Sequence, residues 1–290
     1  MPAWLILSLA TALAVASQDA WTKRFFSGRS LYEMTAYPML YSLPLLAAVL
    51  PFVPVPPLDG TFLWCLIVSI PLNGGSFLLY MSAIQRSPLT LTIPYLAFTP
   101  VFMILTGLLF LDEMPGPAGV AGILVICIGG YILNIDPRRW TLLSPLKAVL
   151  SERGSRMMLL VAFIYSFTSV IGKKGILHSS PLYFNILFFA LLNLTLITSL
   201  AGLGKIRLDA FRDAPGKGAG VGVLFFLHVV FHGYAISLTQ AAYMIAVKRL
   251  SVLFSVIYGK LLFGERNITV RFGGAVLMVL GTALILFQGG

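Results

Sequence analysis

Windows of about 20 apolar residues, the length that crosses a hydrocarbon core as a helix, recur from one end of this chain to the other with only short polar stretches between them. Ten such windows fit, at 3–25, 30–52, 61–84, 89–111, 117–135, 156–177, 181–203, 217–238, 241–263 and 268–287. No interval between them could hold a sizeable soluble domain. An outer-membrane barrel would instead show ten-residue segments of alternating polarity. Only 10% of the residues are charged, against roughly 25% in soluble domains. The chain reads as an all-α integral membrane protein of ten transmembrane helices. The first window, with "AVA" before Ser17, looks like a secretory signal, but no Lys or Arg precedes its apolar run and it has a counterpart later in the chain. It is taken as the first helix.

A net charge of +10 would point a soluble protein toward nucleic acid; in a bilayer its distribution matters more, because Lys and Arg collect in cytoplasmic loops. Sixteen of the 20 cations fall in connections after odd-numbered helices: Lys23, Arg24, Arg29, Arg86, Arg138, Arg139, Lys147, Arg153, Arg156, Lys205, Arg207, Arg212, Lys217, Lys260, Arg266 and Arg271. The other side has Lys173 and Lys174. This asymmetry puts both termini outside a plasma membrane, the bacterial inner membrane, and no nucleic-acid partner is expected. Cys65 and Cys127 lie inside apolar windows, where thiols behave as small apolar residues.

Residues 82–133 align with 234–285 at a constant shift of 152, with identities at Phe102/Phe254, Gly107/Gly259, Leu109/Leu261, Glu113/Glu265, Gly122/Gly274 and Gly129/Gly281. At a shift of 150, "TKRFFSGRS" (22–30) parallels "GKKGILHSS" (172–180). Each copy has five helices, and because five is odd the second copy enters the membrane inverted. Residues 1–140 form the first repeat, 141–155 a basic connecting loop and 156–290 the second, inverted repeat. Inverted repeats are the architecture of many secondary transporters, with the substrate near the midplane between the halves.

"LTGLLFLDEMPGPAGVAGILVICIGGYIL" and "IYGKLLFGERNITVRFGGAVLMVLGTALIL" resemble the helix-"GE"-helix signature that closes each half of EamA-type proteins of the drug/metabolite transporter superfamily. The resemblance covers essentially the whole chain. It implies a central cavity between the halves, lined mainly by helices one, three, four, six, eight and nine, with five and ten peripheral. It also implies termini in the cytoplasm, opposite to the charge count, which is followed here. The small multidrug resistance branch has a membrane Glu eight residues before the basic residue that ends its first helix; Val15 and Tyr165 stand at those places, so a drug antiporter built on that Glu is not expected.

A charge within a span is costly and is a functional candidate by default. Lys248 and Arg249 lie about 11 to 12 Å into the ninth window at 1.5 Å per residue, and their repeat partners, Leu96 and Ala97, show that the scaffold does not require cations there. Arg can grip phosphate or carboxylate with two parallel hydrogen bonds and Lys adds a point charge. The pair is similar to the Lys-Arg pair that meets phosphate in the ninth helix of plastid triose-phosphate translocators and nucleotide-sugar transporters of the same superfamily. Ion pairing with Asp19 or Glu33 is the structural alternative. On the ninth helix Ser251, Ser255 and Tyr258 share the face of Lys248, a polar stripe that implies a face turned to the cavity, and Ser251 and Ser255 are expected to contact the substrate.

His228 and His232, at i and i+4, have repeat partners Ser76 and Tyr80. Both pairs are expected to face the cavity, as substrate contacts, as a proton switch or as buried groups satisfied by neighbours. Asn73 is a further substrate contact, whereas Asn185 and Asn193 read as interhelical glue. Lys173 and Lys174, at the end of the sixth helix that matches the Lys23 end of the first, are read as an entrance that attracts anions. Asp19 is expected to pair locally with Lys23. Pro94 and Pro100 kink or hinge the fourth helix. The glycines of helices five and ten recur at seven and suit close packing, within the molecule more than between protomers. Glu113 and Glu265 read as helix-start residues.

No metal site is expected, no cofactor, and no enzyme motif is found. The expected function is secondary transport or exchange of a small phosphate- or carboxylate-bearing organic anion by alternating access, as a monomer or homodimer in the lipid bilayer. The alternatives are export of amino acids or other neutral or zwitterionic metabolites, flipping of a lipid phosphate, and a non-transporting scaffold with a dry, packed midplane.

Overall fold

The computed structural model describes residues 2–133, 152–264 and 272–288. Glu265 and the connecting loop, apart from its last residues, lie outside them. The first half consists of α1 (Ala3–Phe26), α2 (Leu31–Val49), α3 (Gly60–Arg86), a fourth span made of α4 (Leu89–Thr92), a 3-10 segment (Ile93–Phe98) and α5 (Thr99–Leu111), and α6 (Pro117–Leu133). The second half repeats the order with α7 (Arg153–Leu177), α8 (Pro181–Gly202), α9 (Pro215–Ser237), a ninth span of α10 (Ala241–Lys248) and α11 (Ser251–Phe263), and α12 (Phe272–Gln288). Eight of the ten spans have 18 residues or more; the fifth and tenth are shorter apolar helices.

Polar residues at the edges of the apolar runs start the helices. Ser30 and Glu33 form a reciprocal capping box on α2, Asp59 accepts from Phe62 N at 2.8 Å, and the Ser180 hydroxyl accepts from Tyr183 N at 3.2 Å. Each supplies an acceptor to the otherwise unpaired amides of a first helical turn. Outward-facing apolar residues such as Ile67, Leu109 and Leu261, all more than 60% exposed, form the surface that hydrocarbon covers.

The halves are related by a pseudo-two-fold axis, visible in how the spans pair. The first span packs on the eighth as the third packs on the sixth, and the first on the ninth as the sixth on the fourth. The fifth and tenth, α6 and α12, pack on each other. A methyl group on Gly122 would lie 2.7 Å from the Gly281 carbonyl oxygen, and one on Gly129 would lie 2.6 Å from that of Gly274. As the number rises along one helix it falls along the other, so the two run antiparallel, as inversion requires. The glycine repeat thus packs within the molecule.

Two expected helices are broken. In the fourth span Pro94 and Pro100 remove amide donors, and 3-10 bonding replaces α geometry from Ile93 to Phe98. The ninth span breaks at the equivalent place without proline. Leu250 N bonds Val247 O at 3.0 Å, Val252 N bonds Arg249 O at 3.0 Å and Leu253 N bonds Leu250 O at 2.9 Å, a run of i to i−3 bonds that turns the chain between α10 and α11. The expectation of one continuous face running from Lys248 through Ser251, Ser255 and Tyr258 is therefore corrected. Ser251 and Ser255 are buried on the far side of the break and are not among the residues that line the central cavity. Tyr258 Oη instead lies 2.8 Å from Ser17 Oγ of α1.

Candidate functional site

A cavity lies between the halves, bounded mainly by α1, α3, α7, α8, α9 and α10, with Met39 of α2 and Leu96 of the fourth span; the seventh span, α8, was not expected there yet contributes more of the lining than the fourth. Its lining runs from Asp19 and Tyr80, about two turns inside the ends of α1 and α3, to Ile176 and Ile236, each next to the last residue of its helix. The ends of α1 and α3 lie on the basic face, where the connections after odd-numbered spans emerge. Those of α7 and α9 lie on the opposite face. The cavity is thus skewed toward the face with few cations. The interior between the halves is therefore not fully packed, unlike that of a scaffold, and polar side chains line it.

Lys248 and Arg249 both line the cavity, at the break where α10 ends. Lys248 Nζ lies 3.0 Å from His228 Nε2 and 3.4 Å from His232 Nδ1. A charged lysine has only donors, so both imidazole nitrogens face it as acceptors, which leaves Nδ1 of His228 as the donor. That buried nitrogen has no partner among the described residues. Arg249, 4% exposed, donates from Nη2 to Thr99 Oγ1 at 3.0 Å, and its Nε is likewise buried and unpartnered. Two N–H donors beside the cation pair therefore lack an acceptor.

The structural alternative for the cations is not what the chain adopts. Among the described residues, no carboxylate lies within ion-pair distance of Lys248 or Arg249. Glu33 is committed to its own capping box. Asp19 accepts a hydrogen bond from the Tyr80 hydroxyl, so the expected local pair with Lys23 is corrected; the Lys23 ammonium reaches the Ser87 carbonyl at 2.6 Å.

Of the other residues singled out in the sequence, Asn73, Tyr80, His228 and His232 line the cavity together with Lys248 and Arg249. Ser76 does not; its hydroxyl bonds back to the Asn73 carbonyl at 3.1 Å. Asn193 ties α8 to α2 through Met39 O at 3.3 Å and Ser42 Oγ at 3.0 Å. Asn185 caps Pro181 O of its own helix at 2.8 Å and lines the cavity. Lys173 lines the cavity too, but it is buried and its ammonium contacts Glu113, so it is no free cation at a mouth. Lys174 is half-buried and outside the lining.

Sequence reasoning missed the apolar wall of the site. Phe77, Phe188, Phe189 and Phe225 line it, with the Phe189 and Phe225 rings 5.5 Å apart and nearly perpendicular. The signal was weak because phenylalanine is common throughout the chain. Thr99 was also missed, although it sits at the proline break one helix turn from Leu96 and Ala97. The site thus opposes two cations, one of them fully buried, and two half-buried imidazoles to aromatic rings, with the Asp19 carboxylate on a third wall.

An inverted-repeat helical bundle with a charged midplane cavity is the form of a membrane transporter. The comparisons agree with that class. The profile of the EamA-like transporter family matches residues 2–135 and again 153–287. The chain belongs to this family and is a multi-pass membrane protein of the drug/metabolite transporter type. A solved structure described only as "Crystal structure of protein" is similar over 97% of this chain and 98% of that one, with a TM-score of 0.64 and 14% identity; it bears on the fold alone. No curated protein matches the chain.

Proposed function

We propose that this transporter moves a small organic anion, bearing phosphate or carboxylate, by alternating access between its two halves. The observation that carries the proposal is the pair of Arg249, buried, and Lys248, half-buried, at a broken mid-membrane helix, with no carboxylate partner among the described residues and two N–H donors beside them that have none either. A buried cation is costly unless paired, and a buried donor without an acceptor costs about 1–3 kcal/mol. An anionic group satisfies both at once. His228 and His232 hold Lys248, Asn73 and Tyr80 contact the remainder of the substrate, and the phenylalanine wall takes its apolar part. With the basic face in the cytoplasm of a bacterial inner membrane, the skewed cavity reaches toward the outside.

Asp19 supports a second reading. Its carboxylate lines the same cavity as the cations, and Gln18 Oε1 beside it is buried without a partner. A zwitterion with its carboxylate on Arg249 and its ammonium on Asp19 uses both. A thermal-stability screen of the purified protein against phosphorylated, carboxylated and zwitterionic metabolites separates the two. The anion reading expects stabilisation by anions that Asp19→Asn leaves intact; stabilisation by zwitterions alone, abolished by Asp19→Asn, overturns it.

A further inference from the structure

We infer that Lys173 marks a second anion site on the substrate path, which in this conformation is filled by the protein's own Glu113 carboxylate. The inference rests on the anion reading for the identity of the passing ligand, but not for the existence of the cradle. Lys173 lines the cavity on the face toward which the cavity is skewed and is 5% exposed. Its ammonium donates to one Glu113 oxygen and, at 2.7 Å, to the Thr239 carbonyl. The other Glu113 oxygen accepts from the Ala241 amide at 2.8 Å, the first residue of α10. A carboxylate thus sits between an ammonium and a helix N-terminus, two partners that each favour an anion.

The lysine and carbonyl belong to the scaffold and recur on the other face. Lys23 and Ser87 stand where Lys173 and Thr239 stand in the repeat, and Lys23 donates to the Ser87 carbonyl. The carboxylate is delivered to Lys173 from another span. Asp112 closes α5 in the left-handed conformation, φ 53°, and Glu113 N bonds back to Gly107 O at 3.2 Å. This turns the Glu113 side chain across to α7 and α10, so one carboxylate joins the fourth, sixth and ninth spans.

The cradle is mechanically connected to the central cations. Helix α10 has eight residues, about 12 Å at 1.5 Å per residue, with the Glu113 contact at its first residue and Lys248 at its last. An anion on Lys173 must displace Glu113, which releases the start of α10 while the end still holds substrate. When no anion is present Glu113 returns and the path closes. By linkage, whatever favours Glu113 on Lys173 disfavours a passing anion there to the same extent.

The test is chemical rescue of the cradle, read without transport. Ile236→Cys, at the edge of the cavity lining, is introduced with Cys65→Ala and Cys127→Ala, and its modification by a membrane-impermeant maleimide is timed in nanodiscs. Glu113→Ala is expected to speed modification about tenfold, the equivalent of one lost charge-assisted hydrogen bond. Acetate, which matches the missing carboxylate, is expected to slow it again, and Lys173→Gln in the same background is expected to abolish the acetate effect. Glu113→Gln, which keeps an acceptor for the Ala241 amide, serves if the alanine variant folds poorly; it too is expected to speed modification. Unchanged modification in the Glu113 variants, or acetate protection that persists without Lys173, overturns the inference. A failure of the anion reading would appear elsewhere, as a loss of anion stabilisation in the wild-type protein with the rescue intact.

Discussion

The Arg249 guanidinium and the Thr99 hydroxyl, 3.0 Å apart, join the two broken spans at the same level of the membrane. Thr99 begins α5 just after the 3-10 segment and Arg249 follows α10, so the contact links the breaks of both halves. Nη2 is thereby committed to the protein while Nε has no partner among the described residues. Thr99→Val keeps shape and removes the acceptor. Losing a hydrogen bond to a charged group is worth about 1.5–3 kcal/mol, so the half-saturation constant for a transported anion is expected to rise roughly tenfold or more, with Thr99→Ser close to wild type. Uptake kinetics in proteoliposomes check this.

The α6–α12 contact sets a packing limit. Because a methyl group on Gly129 would lie 2.6 Å from the Gly274 carbonyl oxygen, Gly129→Leu forces the helices apart at a cost of about 1–3 kcal/mol. A lower melting temperature in detergent is expected. Gly75, whose added methyl would meet nothing within 4 Å, is the control: Gly75→Ala is expected to be neutral or up to about 1 kcal/mol stabilising through helix propensity.

Asp112 is the only non-glycine with positive φ among the described residues, and Gly264 at the repeat-equivalent position has φ 64°. An L-residue there carries a steric penalty that glycine lacks. Asp112→Gly is expected to gain about 0.5–1 kcal/mol, seen as a higher melting temperature.

Glu152 gives a pH dependence. Partial burial pushes its carboxyl up, but hydrogen bonds from the Ser87 hydroxyl and from the first amides of α7, Ser155 N at 2.5 Å and Gly154 N at 3.0 Å, outweigh burial and hold it below its ordinary value of 4.5. A depressed carboxylate contributes stability that is full above its unfolded value and is lost as pH falls through the folded one. The melting-temperature deficit of Glu152→Gln against wild type is therefore expected to be largest above pH 4.5 and to shrink below it.

The spans were legible because continuous apolar runs leave few alternatives, and the inversion was legible because the repeat has an odd number of helices. The break in the ninth span was harder to see. Its copy in the first half advertises itself with Pro94 and Pro100, but the partners of those prolines are Ala246 and Val252, which suit a helix. The clue lay in the alignment rather than in the local sequence. Ser251 and Ser255 were placed on the face of Lys248 because helical spacing was assumed across that break. The partners of Lys173 and Glu113 were missed for another reason. Each reads naturally as a helix-end residue, and only tertiary packing brings the fourth span to the sixth. That both residue types recur in the repeat, as Lys23 and Glu265, was the available sign that they act together.

The central claim, an anion held by Lys248 and Arg249, is tested most directly by counterflow of small organic anions in proteoliposomes of wild type, Lys248→Ala and Arg249→Ala. The account expects saturable anion exchange by the wild type. In each variant it expects affinity weakened by roughly tenfold or more, the loss of one charge-assisted contact, with the protein still folded by its melting profile. Unchanged anion affinity in both folded variants would contradict it.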